Sequence, residues 1–223
     1  MDKRFPDGLS GEVEKVNNRS DKALYQYLQL HIFGPYTGDC EAFLNEVKIR
    51  LQKHRFKRAK ICSDREDEPP NGISREEKAE FWRDVSYDFA DHADTAVFIF
   101  LEGQLDRADE LPDRAFKDEP FGHGETPSDL NSSPIQELNY WLREIDAERE
   151  RTLVLFEGDK ADDIGPVFRG EVSKEGVDVD EIDANNPEQA FKRIHGVARN
   201  WAMDTCKQRL QDRYIRDTID EGV

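Results

Sequence analysis

Five apolar segments along the chain have the composition of β-strands. They are residues 27–33, 59–62, 95–101, 152–156 and, more weakly, 177–182. The third and fourth segments are unbroken and rich in Val, Ile and Phe, which is typical of strands that are buried on both faces of a sheet. The pattern therefore predicts five strands, with these two at the centre of the sheet.

The segments between the strands repeat apolar residues at the three- and four-residue spacing of helices. The first predicted helix begins at Asp39. The other three cover residues 75–90, 134–148 and 187 to about 218. Asn186 is the predicted N-cap of the last helix. The three tryptophans all fall on apolar helix faces and are predicted to pack in the core: Trp82, Trp141 and Trp201.

The alternation of strands and helices determines the predicted fold. Such units give a mostly parallel sheet, because right-handed crossovers place the helices on both faces. We predict one doubly wound α/β domain, flavodoxin/Rossmann-like, with about five strands over residues 25–223. A charged extension, residues 1–24, precedes it, and an acidic loop, residues 103–131, follows the third strand. The loop is either a lid over a cleft or an insertion that adapts the protein to salt.

The chain is strongly acidic. Its 223 residues include 49 Asp and Glu against 32 Lys and Arg, which gives a formal net charge of −17. Acids spread through loops and helix faces indicate a salt-adapted protein, because molar salt shortens the Debye length to about 3 Å and screens self-repulsion. A merely acidic domain is the alternative. The charge opposes general binding to nucleic acids and to anionic membranes, and we expect no membrane partner.

One segment departs from this acidity. Residues 47–60 contain seven basic residues and no acidic residue. These cations either form a surface for phosphate, nucleic acid or an acidic partner, or they pair with acids of the same chain. The C-terminal helix is also locally basic and has the same two interpretations.

Cysteine usage and the N-terminus indicate a cytoplasmic protein. Cys40, Cys62 and Cys206 are an odd number of cysteines at unrelated spacings, so neither a disulfide framework nor a zinc knuckle is predicted. Residues 1–20 contain no apolar run, and no stretch approaches the roughly 18 apolar residues of a membrane span. We therefore expect a cytoplasmic location.

The sequence gives little indication of a metal or a cofactor. Asp88, Asp91, His92 and Asp94 cluster before the third strand, but no HExxH or facial-triad pattern accompanies them. His31 lies within an apolar strand and is predicted to be a core histidine. We expect no metal site and no cofactor.

In doubly wound folds, ligands bind beyond the carboxyl ends of the strands, where the strand order reverses. Gly34, Pro35 and Tyr36 follow the first strand at this edge. Glycine there lets the backbone approach a ligand closely, and the next helix offers free N–H groups. A tight strand-to-helix turn explains the same residues equally well.

A second set of residues precedes the fourth strand. Ser133 as N-cap, Pro134 at the first helical position and Gln136 form a predicted capping box. Glu137 is then expected in the first turn, where the helix dipole stabilises a carboxylate. Such an acid either serves as a nucleophile or is simply favoured by the dipole.

The motifs follow one another in a particular order. They are Phe33-Gly34-Pro35-Tyr36 after the first strand, Asp91-His92-Ala93-Asp94-Thr95-Ala96-Val97 into the third, Leu101-Glu102-Gly103 at its end, a Ser-rich turn before Glu137, and a strand over residues 151–156. This order, over about residues 28–156, resembles the nucleoside 2-deoxyribosyltransferase-like superfamily, which is related in fold to TIR domains. In that superfamily the first-strand motif binds a nucleoside and the helical Glu is catalytic.

The resemblance assigns roles to individual residues. It implies a substrate pocket formed by Gly34, Pro35, Tyr36, Asp94, Glu102, Gly103 and Ser133. It makes Glu137 the residue that attacks the anomeric carbon of a nucleoside, a nucleotide or NAD, or stabilises charge there, in an N-glycoside hydrolase or transferase. It also implies a homodimer, because neighbouring subunits of relatives often complete the site.

Two alternatives to this enzyme remain open. The first is a non-catalytic member of the same fold that senses a nucleotide or binds a protein partner. The second is a nucleic-acid-associated protein that uses the basic residues 47–60.

Overall fold

Five strands form one all-parallel sheet in the computed structural model. They are β1 (Leu30–Phe33), β2 (Lys60–Ile61), β3 (Thr95–Phe100), β4 (Thr152–Glu157) and β5 (Asp178–Ile182). Their order in the sheet is β2-β1-β3-β4-β5, and all neighbours pair in parallel. This is the strand order of flavodoxin-like folds, in which the winding reverses between β1 and β3. The predicted doubly wound α/β fold is confirmed.

The structure describes residues 25–36, 38–101, 132–144, 151–158, 172 and 177–221, and for residues 27, 38, 39, 132 and 209–221 it describes the backbone alone. The predicted extension at residues 1–24 and the acidic loop at 103–131 therefore lie outside the described residues.

Four α-helices of the described chain cover the two faces of the sheet. α1 (Gly38–Lys53) and α4 (Pro187–Glu221) pack on one face, and α2 (Arg75–Asp91) and α3 (Ser132–Arg143) pack on the other. Each face has its own apolar core, because successive strand residues point to opposite sides. Val97 and Ile99 of β3 face α1 and α4, whereas Phe98 and Phe100 face α2 and α3. Every residue of β3 is consequently buried.

The starts of α2 and α4 are fixed by capping side chains. Ser74 Oγ accepts a hydrogen bond from Glu77 N at 3.2 Å, and the Glu77 carboxylate accepts one from Ser74 N at 2.7 Å. These two bonds form a capping box. Asn186 Oδ1 accepts a bond from Gln189 N at 3.2 Å. The predicted N-cap of α4 is therefore confirmed.

α3 begins differently from the prediction. Its first residue is Ser132, so Ser133 lies inside the helix and Glu137 lies in the second turn instead of the first. The predicted capping box at Ser133 and Gln136 is wrong. Pro134 is the third helical residue, which is allowed because the first N–H groups of a helix have no intrahelical partner in any case.

Two of the three predicted core tryptophans are buried. Trp141 and Trp201 are 1% and 5% exposed, but Trp82 is 43% exposed, so its predicted core position is wrong. Residues 75–84 of α2 are all exposed apart from Phe81, which is half-buried. Helical spacing identifies the apolar face of α2, but it does not reveal that the first half of the helix extends beyond its neighbours.

α4 is the longest helix, with 35 residues. Ala190, Ile194, Ala198 and Trp201 bury one side of it in the core shared with α1. Three of its cations pair with acids of the same chain: Lys192 with Glu188, Arg193 with Asp180 and Lys207 with Asp204. For these three, pairing within the chain is the correct interpretation. No helix in the described residues combines the length and apolar character needed to cross a membrane.

Candidate functional site

The carboxyl ends of β1 and β2 bring Tyr36 and Cys62 close to Glu137 of α3. The Tyr36 hydroxyl donates a hydrogen bond to Ile32 O at 3.0 Å and accepts one from Cys62 N at 3.3 Å. Burial, and then the charge of Glu137, raise the pKa of both Tyr36 and Cys62. The carboxyl therefore lies within electrostatic reach of both groups, beside the reversal point where doubly wound folds bind ligands.

Glu137 is a buried carboxyl with one oxygen bonded and one oxygen free. The residue is 2% exposed. Oε1 accepts hydrogen bonds from the hydroxyl of Ser86 and, at 3.2 Å, from that of Ser133. Oε2 has no hydrogen-bond partner in the part of the chain that the structure describes. A buried oxygen in this state is available to a ligand that enters the site.

The protonation of Glu137 changes close to neutral pH. Burial raises the pKa of its carboxyl from 4.5 to about 7, because the charged form loses its hydration. The hydroxyls of Ser86 and Ser133 oppose this rise, since both donate to the anion. The site therefore contains a carboxyl that is both a proton donor and a proton acceptor near pH 7.

Ser86 of α2 connects Glu137 to Cys62. Its hydroxyl also hydrogen-bonds with the Cys62 thiol. The pKa of this thiol is raised to about 12, so the thiol remains protonated and is not a nucleophile near neutral pH. Ser86 was not among the residues predicted from the sequence. One feature of the sequence could have identified it: Ser86 is a small polar residue on the otherwise apolar buried side of α2, next to Val85.

Gly34 has a packing reason to be glycine. A Cβ atom there would lie 3.0 Å from Ile99 O of β3 and 3.0 Å from Cδ2 of Leu44. Glycine thus allows the end of β1 to approach β3 and α1 closely. Of the two interpretations of this loop, the tight turn is favoured for Gly34. Pro35 is buried, and Tyr36 supplies the polar group that reaches the site.

The remaining predicted site residues lie elsewhere. Asp94 precedes β3 at the amino-terminal edge of the sheet, where its Oδ2 accepts a hydrogen bond from Gln29 N at 2.9 Å. The structure does not bring it together with Glu137. Glu102 and Gly103 lie outside the described residues. Ser133 does reach Glu137, as a hydrogen-bond donor one helical turn earlier.

His31 is a core residue, as predicted. It is 2% exposed, its ring stacks on that of Phe89 with 4.0 Å between centroids, and its Nδ1 donates to Phe89 O at 2.8 Å. Burial lowers the pKa of His31 to about 4, so the ring is neutral at pH 7. Among the described residues, no group of three or more His, Cys, Asp or Glu side chains is placed to hold a metal ion.

A cavity of about 370 Å³ opens at the carboxyl ends of β4 and β5. Its lining includes the carboxylates of Glu157, Glu181 and Asp183, together with Gln189 of α4. This cavity is not lined by any of the substrate-pocket residues that were predicted from the sequence. It lies at the same edge of the sheet as Glu137 but beyond β3, and its acidic lining is unsuited to a phosphate group.

The chain has no detectable relative among the known proteins with which it was compared. No protein-family model matches the chain, and neither a curated protein nor a solved structure is significantly similar to it.

Proposed function

We propose that this chain binds a nucleoside or nucleotide at the carboxyl ends of β1 and β2 and cleaves its N-glycosidic bond. The observation that carries the proposal is the carboxyl of Glu137, which is buried, held by two hydroxyls at Oε1 and left without a described partner at Oε2. Its place beside the winding reversal and the order of motifs around it support the same function.

In this proposal the two carboxyl oxygens have different tasks. Ser86 and Ser133 fix Oε1, so Oε2 is the oxygen that reacts at the anomeric carbon. As the base leaves with the bonding electrons, the sugar becomes positively charged, and this charge stabilises the carboxylate that burial disfavours. Water or an acceptor base then takes the sugar and releases the carboxylate. Only the ionised form attacks, so the reaction requires deprotonated Glu137.

Tyr36 has a positioning role in this proposal. Its hydroxyl joins the end of β1 to the start of the segment after β2 through Ile32 O and Cys62 N. The two loops that border Glu137 are therefore held at a fixed separation. In this proposal a sugar bound between the two loops lies beside the carboxyl of Glu137.

A binding protein without catalysis is the second candidate. The observation that favours it is the low exposure of Glu137, 2%, because a catalytic carboxyl must touch its substrate. In this case Glu137 joins α2 to α3 and supports the pocket, and the segments that follow β1 and β2 contact the ligand. Both candidates place the ligand at the same residues.

Release of free base from a panel of nucleosides, nucleotides and NAD, in molar potassium chloride, tests the proposal. We expect release by the natural chain and a loss of at least about 10³-fold in Glu137→Gln. The matched control is Glu144→Gln, at the exposed end of the α3 segment, which should retain full activity. Ligand binding without base release in the natural chain would favour the second candidate, and a fully active Glu137→Gln variant would overturn the assignment.

A further inference from the structure

Five exposed cations lie at the amino-terminal edge of the sheet, and we call them the basic edge: Lys53, Arg55, Lys57, Arg58 and Lys60. They occupy the end of α1, the turn after it and the first residue of β2. None of the five forms an ion pair with another described residue. By contrast, Lys48 pairs with Asp64, and Arg50 pairs with Glu46 and Glu188. Pairing within the described chain thus accounts for the first two cations of residues 47–60 and not for the last five.

Arg55 occupies a backbone conformation that favours glycine. Its φ is 83°, and it is the one non-glycine residue with positive φ in the described chain. The helix ends there in a Schellman motif, in which Arg55 N donates to Gln52 O at 3.2 Å and Phe56 N donates to Leu51 O at 3.1 Å. An L side chain is strained at this position because its Cβ crowds the backbone. Arginine here lowers stability, and such strain concentrates at functional positions.

The dipole of α1 does not explain the whole basic edge. Cations in the last turn of a helix are stabilised by the carbonyl end of the dipole, which accounts for Lys53. The effect falls off within that turn, however, and Lys57, Arg58 and Lys60 lie beyond it. These three exposed cations need a different explanation.

The apolar side chains of this segment point inward. Phe56, Ala59 and Ile61 are all 0% exposed, so the outer surface of residues 53–60 consists of charged and polar groups. Interfaces with folded proteins usually contain an apolar core. A nucleic-acid backbone needs cations alone, because phosphate contacts supply affinity through counterion release. The surface therefore fits a nucleic acid better than a protein.

We propose that the basic edge binds the phosphate backbone of a nucleic acid without reading its base sequence. The edge lies at the opposite end of the strands from Glu137, so a bound nucleic acid leaves that site open. The binding is consequently independent of the proposed N-glycosidic activity. The net charge of −17 repels a polyanion from most other approaches and restricts contact to this edge.

Fluorescence anisotropy with a labelled random-sequence single-stranded oligonucleotide, over a series of salt concentrations, tests this inference with the full chain. We expect log K to fall linearly with log salt, with a slope of about 0.7 for each phosphate contacted. Lys57→Glu should weaken binding at low salt by about 10-fold and reduce the slope. The matched control, Lys78→Glu, makes the same charge change at an exposed position of α2 and should bind nearly as well as the natural chain.

Arg55→Gly separates binding from stability. Because glycine suits the positive φ, this variant should raise Tm by about 2–4 °C and yet weaken binding. The inference is overturned by a lack of binding at every salt concentration, by equal effects of Lys57→Glu and Lys78→Glu, or by polyglutamate competing as well as the oligonucleotide, which would indicate an acidic protein surface. Glu137→Gln should bind normally, so a failure of the proposed enzyme activity leaves this result unaffected.

Discussion

The hydroxyl of Ser86 donates a hydrogen bond to Oε1 of Glu137 and joins α2 to α3 across 51 residues of sequence. Both residues are buried, at 7% and 2% exposure, and among the described residues no cation accompanies the carboxyl in this contact. A hydroxyl stabilises a buried carboxylate less than a cation does. This is why the pKa of Glu137 settles near neutrality instead of far below it.

Replacing Ser86 by Ala should raise the pKa of Glu137 further, above its value of about 7. The anion loses its buried donor, whereas the protonated form needs the bond less. Carbon-NMR titration of the Glu137 carboxyl measures the shift directly. Since only ionised Glu137 attacks, the pH at which the rate of base release reaches half of its maximum should rise by the same amount. Ser133→Ala is the control, because it removes a longer bond from an exposed residue and should produce a smaller shift in the same direction. Equal pKa values in Ser86→Ala and the natural chain would contradict this account.

Glu137→Gln should change how stability depends on pH. The folded-state pKa of Glu137, about 7, exceeds the ordinary value of 4.5, so its protonated form stabilises the fold fully below pH 4.5 and this contribution is lost as pH rises through 7. The free energy of unfolding of the natural chain, minus that of Glu137→Gln, should therefore fall by about 1.4 kcal/mol per pH unit in this window.

Urea unfolding of the natural chain and of Glu137→Gln between pH 4.5 and 7 measures this difference in unfolding free energy. The contribution of His31 has the opposite sign, because its folded-state pKa of about 4 lies below 6.5, and it is lost as pH falls through 4. It is present in both chains and cancels in the difference. A difference that stays constant with pH would show that Glu137 is ionised throughout.

Tyr36→Phe should loosen the two loops that border the site. The variant loses the hydroxyl that donates to Ile32 O and accepts from Cys62 N, at a cost of about 1–2 kcal/mol in unfolding free energy. Because the hydroxyl positions loops and does not react, KM should rise by more than kcat falls. Tyr87→Phe, which alters a half-buried tyrosine of α2, is the control and should leave KM unchanged. A loss confined to kcat would assign Tyr36 a direct chemical role.

Much of the fold was predictable because its strands are buried on both faces. β3 and β4 were recognised from unbroken apolar runs, since covered parallel strands need no polar side. Residues 27–33 were predicted as one strand, but β1 covers only Leu30–Phe33, and Tyr25–Tyr27 form a short 3₁₀ helix. Apolar composition cannot separate these two, because Tyr25 of the 3₁₀ helix is buried in the same core as Leu30 and Ile32 of β1.

The candidate site was only partly predictable. Glu137 was identified from motif order, but its partner Ser86 lies 51 residues earlier and meets it only because α2 and α3 pack on one face of the sheet. Asp94 belongs to the same motif order and lies at the other end of β3. Spacing along a chain does not reveal which of two polar residues reaches the carboxyl edge.

The two tryptophans with contrasting exposure should respond differently to truncation. Trp141→Ala should cost about 3–5 kcal/mol of unfolding free energy, because it leaves a cavity in the core between α3 and the sheet. Trp82→Ala should cost under about 1 kcal/mol, since the side chain is 43% exposed. Denaturant unfolding compares them as a matched pair. Equal losses would mean that Trp82 is covered in solution.

The indole N–H of Trp141 donates to Thr152 Oγ1 at 2.8 Å and ties α3 to β4, one helical turn after Glu137. Ser86 holds the same stretch of α3 from the side of α2. The position of Glu137 is thus set by residues that come well before and just after the long segment between β3 and α3. A substitution that loosens either contact should therefore displace the carboxyl, even though neither Trp141 nor Thr152 belongs to the site itself.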